Sequence, residues 1–230
     1  MRMAGLKSLL AALVIGLLAG SAPALALAQE QPSTPAADSP ADATADQADT
    51  EPQAELQIDE PFGHAWLGAA DADVTLVVFA DYACPACREA QPVIDQLLAQ
   101  DKKLKVVYRL LDNEQGGLTA ALTSLAVAKQ STDWSKFHRA LDGADEVNSK
   151  TIGAAVAASG VDQSKLPSLK DDDPETLPLA GELARNDTLL VQRKGTALPS
   201  WLIGDGPAQK GFDLPRLQAA IAKARDSKKP

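Results

Sequence analysis

The sequence predicts an α/β fold with an all-helical subdomain inserted into it, and three observations lead there. An apolar, β-branched run from Val74 to Ala80 ends directly at a Cys-x-x-Cys motif; a helical pattern and a second apolar run follow, so a parallel βαβ unit opens the domain. Helical periodicity then dominates from Gly117 to about Lys194. Strand patterns resume only near Trp201 and give way to a last helix, so the helical block lies inside the sheet-forming chain.

Ahead of this domain the chain has the layout of a secretory signal peptide: basic Arg2 and Lys7, an apolar run Leu9 to Gly20, and small residues ending Ala26-Leu27-Ala28. The apolar run is well short of the roughly 20 residues that a spanning helix needs. Residues 1–28 are therefore expected to be removed, with export to the periplasm. Residues 29–60 are rich in Ala, Pro, Asp, Ser, Thr and Gln and carry almost no large apolar side chains, so they are predicted to be a disordered acidic linker. The formal net charge of −9 comes largely from this segment: nine acids lie between Glu30 and Glu60, and residues 61–230 hold 20 basic against 22 acidic residues. A nearly neutral domain gives no sign of a nucleic-acid surface. Residues 61–230 are assigned to one domain, with the helical insertion at about 115–195.

Within it, Val74–Ala80 suits a strand buried on both faces. Pro85 fits the first turn of a helix, where its missing N–H has no intrahelical partner, and Val93, Ile94, Leu97 and Leu98 recur at helical spacing up to Gln100. Lys105–Leu111 reads as the next strand. Helices are expected near Leu118–Lys129, Ser135–Leu141, Lys150–Ser159 and Thr176–Gln192. Asp173-Pro174-Glu175 has the composition of a helix start with Asp173 as the N-cap. Strands follow at Trp201–Gly204 and Ala208–Lys210, and Asp213 caps a helix from Leu214 to about Arg225.

Cys84 and Cys87 are the chain's two cysteines. As a structural staple, a bridge closing four residues would gain only about 2 kcal/mol, less than longer loops give. As a metal site, two thiols lack the four ligands of structural zinc, since His64 and His138 lie at no ligand spacing; Cu(I), a soft ion, remains compatible with a thiol pair. As a redox reagent the pair uses every local feature. A thiol where a strand meets a helix N-terminus has its anion favoured by unpaired N–H groups and the helix dipole, and a second thiol one turn on can resolve a mixed disulfide.

Val74-Thr75-Leu76, Phe79, Asp81-Tyr82, Cys84-Pro85-Ala86-Cys87 and Pro92 together resemble the active-site strand and helix of the DsbA family of thioredoxin-like thiol:disulfide interchange proteins, in the branch that includes DsbA-like and ScsC-like proteins. Phe137-His138-Arg139-Ala140-Leu141 resembles part of that family's helical insertion, and Leu198-Pro199-Ser200-Trp201-Leu202-Ile203-Gly204 its cis-proline loop and following strand. The resemblance implies a thioredoxin-like fold and disulfide exchange with cysteines of exported proteins. Cys84 would be the surface-exposed attacking thiol and Cys87 the more deeply buried resolving thiol. Pro85 and Ala86 would support the site, and Leu198 with a cis-bonded Pro199 would bind substrate. No cofactor beyond the Cys84–Cys87 pair is implied. Two departures stand out: Val78 occupies the position of a buried acid thought to relay protons, and Ala86 replaces the His of the strongly oxidising member, which predicts a milder oxidant.

The expected partners are reduced or misoxidised exported proteins and a membrane redox protein, DsbB-like for an oxidase or DsbD-like for an isomerase or reductase. Pro32, Pro35, Pro40, Pro52 and Pro61, with no apolar heptad, argue against an N-terminal oligomerising stalk and favour a monomeric oxidase. A copper-binding or thiol-holding protein is the alternative from another class. Trp66, Trp134, Trp201, Phe62 and Phe137 are expected in packing, and His138 as a satisfied or surface histidine.

Overall fold

A computed structural model describes residues 57–130, 133–170 and 172–228. The expected signal peptide and residues 29–56 of the expected linker lie outside the described residues. The elements are β1 (Trp66–Gly68), β2 (Val74–Ala80), α1 (Pro85–Gln100), β3 (Leu104–Leu110), α2 (Gly117–Gln130), α3 (Trp134–Asp142), α4 (Ser149–Ser159), a 3-10 turn (Gln163–Lys165), α5 (Leu177–Gln192), β4 (Ser200–Leu202), β5 (Gln209–Lys210) and α6 (Leu214–Ser227). The sheet order is β1-β3-β2-β4-β5. Strands β2 and β3 run parallel, with Val74 opposite Leu104 and Ala80 opposite Leu110, while the other pairs are antiparallel. This is the α/β fold with a helical insertion, α2 to α5, between β3 and β4.

Alternation along β2 explains its unbroken apolar composition. Val74, Leu76 and Val78 face a large core with Ile94 and Leu97 of α1 and Leu217 and Ile221 of α6, whereas Val77 and Phe79 face a smaller one with Leu189 and Leu190 of α5 and Leu202 of β4. Both faces of the strand are dry, so neither tolerates a polar position. The helical insertion packs around Trp134, Phe137 and Leu141, all fully buried.

Two local expectations need correction, and one strand was not foreseen. Strand β1 has only three residues, too few to show a period. The N-cap of α5 is Thr176 and makes no side-chain capping bond; Asp173 instead accepts from the Ser168 and Glu175 N–H groups and the Ser168 hydroxyl, closing the preceding turn. Residues 57–60, assigned to the linker, belong to the fold, because Ile58 is buried in the smaller core and Arg109 holds the backbone around it.

Arg109 points from β3 into that smaller core and is 5 % exposed. Its guanidinium donates to Glu182 Oε1 of α5 at 2.8 Å, to Asn186 Oδ1 at 3.4 Å, and to the carbonyls of Gln57, Ile58 and Glu60. Burial pushes the Glu182 carboxyl upward and the Arg109 guanidinium downward, each opposed by the other's charge. Removing one partner strands the other. We expect Arg109→Met to lose about 3–5 kcal/mol in urea unfolding, and Arg109→Met with Glu182→Leu to lose less than the two single changes summed; additive losses would show that the ions do not compensate each other.

Candidate active site

Strand β2 ends at Ala80, and the chain turns through Asp81, Tyr82 and Ala83 before α1 begins. Cys84 is the N-cap of α1, with extended backbone (φ −79°, ψ 115°), and Pro85 follows in the first turn. The Cys84 Sγ folds back over that turn and accepts the Cys87 N–H at 3.3 Å. Sulfur thus stands where a helix presents its unpaired N–H groups and the positive end of its dipole. Both cysteines are free thiols.

The relative exposure of the two thiols differs from the expectation that Cys84 lies at the surface and Cys87 beneath it. Both are buried, Cys84 at 5 % and Cys87 at 8 % exposure. Cys84 is withdrawn because its sulfur caps its own helix, and the outward positions of the turn are taken by Pro85 and Ala86, both exposed. Burial raises the Cys87 thiol well above the ordinary cysteine range; the Asp81 N–H opposes this, while Cys84 and the Asp81 charge add to it.

Asp81 fixes the turn. Its Oδ1 accepts the Ala83 N–H and its Oδ2 the Glu114 N–H, each at 2.8 Å, and its carbonyl accepts the Cys84 N–H at 3.1 Å. The carboxylate is 1 % exposed, and Gly117 lies so close that a Cβ there would stand 2.5 Å from Oδ1. Burial raises this carboxyl above the usual range, against the pull of its two N–H bonds.

Beneath α1 a polar ladder joins the motif to the helical insertion. Trp134 Nε1 donates to Ser124 Oγ at 2.9 Å, Ser124 and Tyr82 share a hydroxyl bond at 3.0 Å, and Tyr82 meets His138 Nδ1 at 3.0 Å. His138 Nε2 lies 3.2 Å from Gln91 Oε1, which also accepts from the Tyr108 hydroxyl at 2.8 Å. A carboxamide oxygen only accepts, so His138 Nε2 carries the proton, Nδ1 accepts from Tyr82, and Ser124 donates to Tyr82. Burial holds His138 down at about 3, helped by Arg139, so the imidazole is neutral. It stacks on Trp134 at 4.8 Å. His138 is therefore a satisfied core histidine, and Trp134, Phe137 and Trp201 are buried in packing.

The Leu198–Pro199 peptide bond is cis, as the resemblance implied. Pro199 lines one cavity together with Cys87, Asp81, Tyr82 and Val78, so the loop before β4 and the second cysteine are brought together. Among the described residues no three His, Cys, Asp or Glu side chains are grouped to hold a metal ion. The ladder from Ser124 to Tyr108 and the Asp81–Glu114 bond were not foreseen. Their partners are far apart in sequence, and no spacing rule joins them.

A family model described as thioredoxin matches residues 62–191. A thioredoxin-like oxidoreductase from Silicibacter pomeroyi DSS-3 is similar at 27 % identity and a TM-score of 0.63, over 74 % of this chain and 95 % of that one. ScsC from Proteus mirabilis, in a transitional conformation, is 22 % identical with a TM-score of 0.63, over 74 % and 76 %. The thiol-disulfide exchange protein α-DsbA2 from Wolbachia pipientis is 24 % identical with a TM-score of 0.57, over 69 % and 85 %. These last two share the fold. Among curated proteins, a segment of 83 residues is 32 % identical to Na(+)/H(+) antiporter NhaA 3 of Salinispora tropica; the match spans 35 % of this chain but only 13 % of that protein's length.

The Asp81 charge opposes a second negative charge on Cys87. With Cys84 replaced by Ser, Asp81→Asn is expected to shift the alkylation of Cys87 by iodoacetamide to lower pH. The same change is expected to cost about 1–3 kcal/mol, because an amide cannot accept both N–H groups. An unmoved alkylation profile would show that the carboxylate does not act on this sulfur.

Proposed function

The chain belongs to the thioredoxin family, and from that premise we propose that it is a thiol:disulfide oxidoreductase working through Cys84 and Cys87 on the cysteines of exported proteins. The observation that carries this reading is the pair of free thiols in the first turn of α1, one capping the helix and the other sharing a cavity with Pro199. The likeness to a thioredoxin-like oxidoreductase at 27 % identity supports it.

In the oxidising direction a substrate thiolate attacks Cys84 Sγ of the oxidised pair. The Cys84–Cys87 bond breaks as the Cys84–substrate bond forms, and Cys87 leaves as a thiolate that takes up a proton. A second substrate thiolate then attacks the substrate sulfur of the mixed disulfide and releases Cys84. The substrate loses two electrons and two protons, and the pair ends as the dithiol. The sulfurs carry the electrons, so the exchange itself needs no further cofactor. Leu198 and Pro199 offer the backbone beside Cys87 against which an extended substrate segment is laid. Pro85 and Ala86 form the exposed rim that a substrate meets first.

We assign the direction as oxidation by a protein of moderate potential, exported to the periplasm and reoxidised by a DsbB-like membrane partner. Ala86 offers neither charge nor hydrogen bond to the Cys84 anion, which favours a potential below that of the strong oxidant DsbA at about −120 mV and above that of thioredoxin at about −270 mV. An isomerase or reductase kept reduced by a DsbD-like carrier would show a potential near the lower bound and a dithiol in the cell.

Cys84→Ser is expected to abolish both oxidative refolding of a reduced substrate and insulin reduction. Cys87→Ala is expected to accumulate a mixed disulfide visible on a non-reducing gel. Ala86→His is expected to move the potential towards the oxidising end, about 30 mV for each tenfold gain in thiolate stability. Undiminished activity in Cys84→Ser would remove the assignment.

A further inference from the structure

Cys87 must gain or lose a proton whenever the pair changes state, and it does so inside the fold. The cavity it lines is about 10 Å³, at the lower limit for one water molecule. Its wall contains two carboxyl groups, Asp81 and Asp142, and on the strand side it is closed by the apolar Val78. Cys84 is not part of that wall, so the cavity serves the second sulfur alone.

The two acids are differently equipped. Asp81 has an N–H on each oxygen, is sealed by Gly117 and has almost no exposure; it is a fixed acceptor with no path to solvent. Asp142 is the last residue of α3 and is half-buried. Among the described residues no N–H or side chain hydrogen-bonds its carboxyl. It can face the cavity and still exchange with water outside.

We propose that Asp142 is the proton relay for Cys87, accepting the thiol proton through a single water in the cavity when Cys87 attacks, and returning it when Cys87 leaves a disulfide. This rests on the dithiol reading above. In the resolving step the Cys87 Sγ–Cys84 Sγ bond forms, the bond from Cys84 to the partner sulfur breaks, the partner leaves as a thiolate, and the Cys87 proton passes to Asp142 and on to solvent. The helical insertion thereby supplies a functional group to a site otherwise built from the sheet and α1.

The surroundings suit a group that changes charge near neutrality. Burial pushes the Asp142 carboxyl up to about 7; Arg88 of α1 pulls it down most, Asp95 of α1 pushes it up, and Arg139 of its own helix pulls it down. Arg139 is occupied by Asp95 at 2.7 Å and Arg88 donates to the Tyr82 carbonyl. Position also counts against the anion, since the C-terminal end of a helix disfavours negative charge. The remaining ionisable groups on the cavity wall keep one state: His138 is held neutral, and burial raises the Tyr82 and Tyr108 hydroxyls far above their usual range.

The test follows the reduced full-length protein reacting with excess Ellman's reagent in a stopped-flow instrument. The first nitrothiobenzoate released marks the mixed disulfide, and the second marks the unimolecular attack of Cys87. In the wild type the rate of the second phase is expected to rise with pH and level off through an inflection near 7. Asp142→Asn should erase the inflection and slow the phase about 100-fold at neutral pH, the ordinary scale of general-base catalysis, while Asp142→Glu restores the inflection. The amide removes a charge that burial opposes, so the fold is expected to hold, which a thermal melt checks. An unchanged inflection in Asp142→Asn overturns the relay. Failure of the wild type to release a second equivalent overturns the dithiol reading beneath it.

Discussion

The position of both sulfurs depends on one buried carboxylate. Asp81 spends its two oxygens on the N–H groups of Ala83 and Glu114 and its carbonyl on Cys84. The turn from β2 into α1 is thereby tied to the segment leading from β3 into α2. Without such ties a Pro-containing first turn would have several ways to leave the strand. With them, Cys84 is set as the cap, and its sulfur meets the Cys87 N–H. The cost is electrostatic: the charge that organises the turn also resists a second charge on Cys87. The arrangement is asymmetric in consequence, one thiol facing the helix mouth and the other held neutral by its surroundings.

A second set of constraints joins the helical insertion to this turn. Tyr82 lies two residues before Cys84 and Gln91 four residues after Cys87, and both are bonded to His138 of α3. Because every polar atom along the ladder is paired, the buried hydroxyls and the imidazole carry little desolvation cost. The insertion is consequently fixed in place over α1 by directional bonds as well as by the packing of Phe137 and Trp134.

Regular elements with long patterns were legible in the sequence. Val74–Ala80 was placed to the residue because burial on both faces leaves one unambiguous apolar run, and the helices of the insertion were located within a residue or two. The dithiol was legible because its spacing, directly after an apolar strand, is dictated by its chemistry; the proline loop was reached only through the family resemblance, since nothing in the residues around Pro199 marks its peptide bond as cis. Other features were hidden. Arg109 reads as an ordinary polar strand residue, and only the fold reveals that it gathers Gln57, Ile58, Glu60 and Glu182 around itself. Asp81 was visible beside Cys84, but its second partner is 33 residues away. The depth of Cys84 was misjudged because a sequence shows which residue caps a helix and not which way its side chain turns.

A histidine on the same cavity wall as Cys87 invites interpretation as an acid sensor, since its unperturbed ionisation falls in the physiological range. Its enclosure among the rings of Trp134, Tyr108 and Tyr82, with hydrogen bonds to Tyr82 and Gln91, removes that property. From weak acid to neutrality the imidazole behaves as a permanent spacer, and the frame around the sulfurs keeps one shape over a range of acidity that would rearrange a solvent-facing histidine.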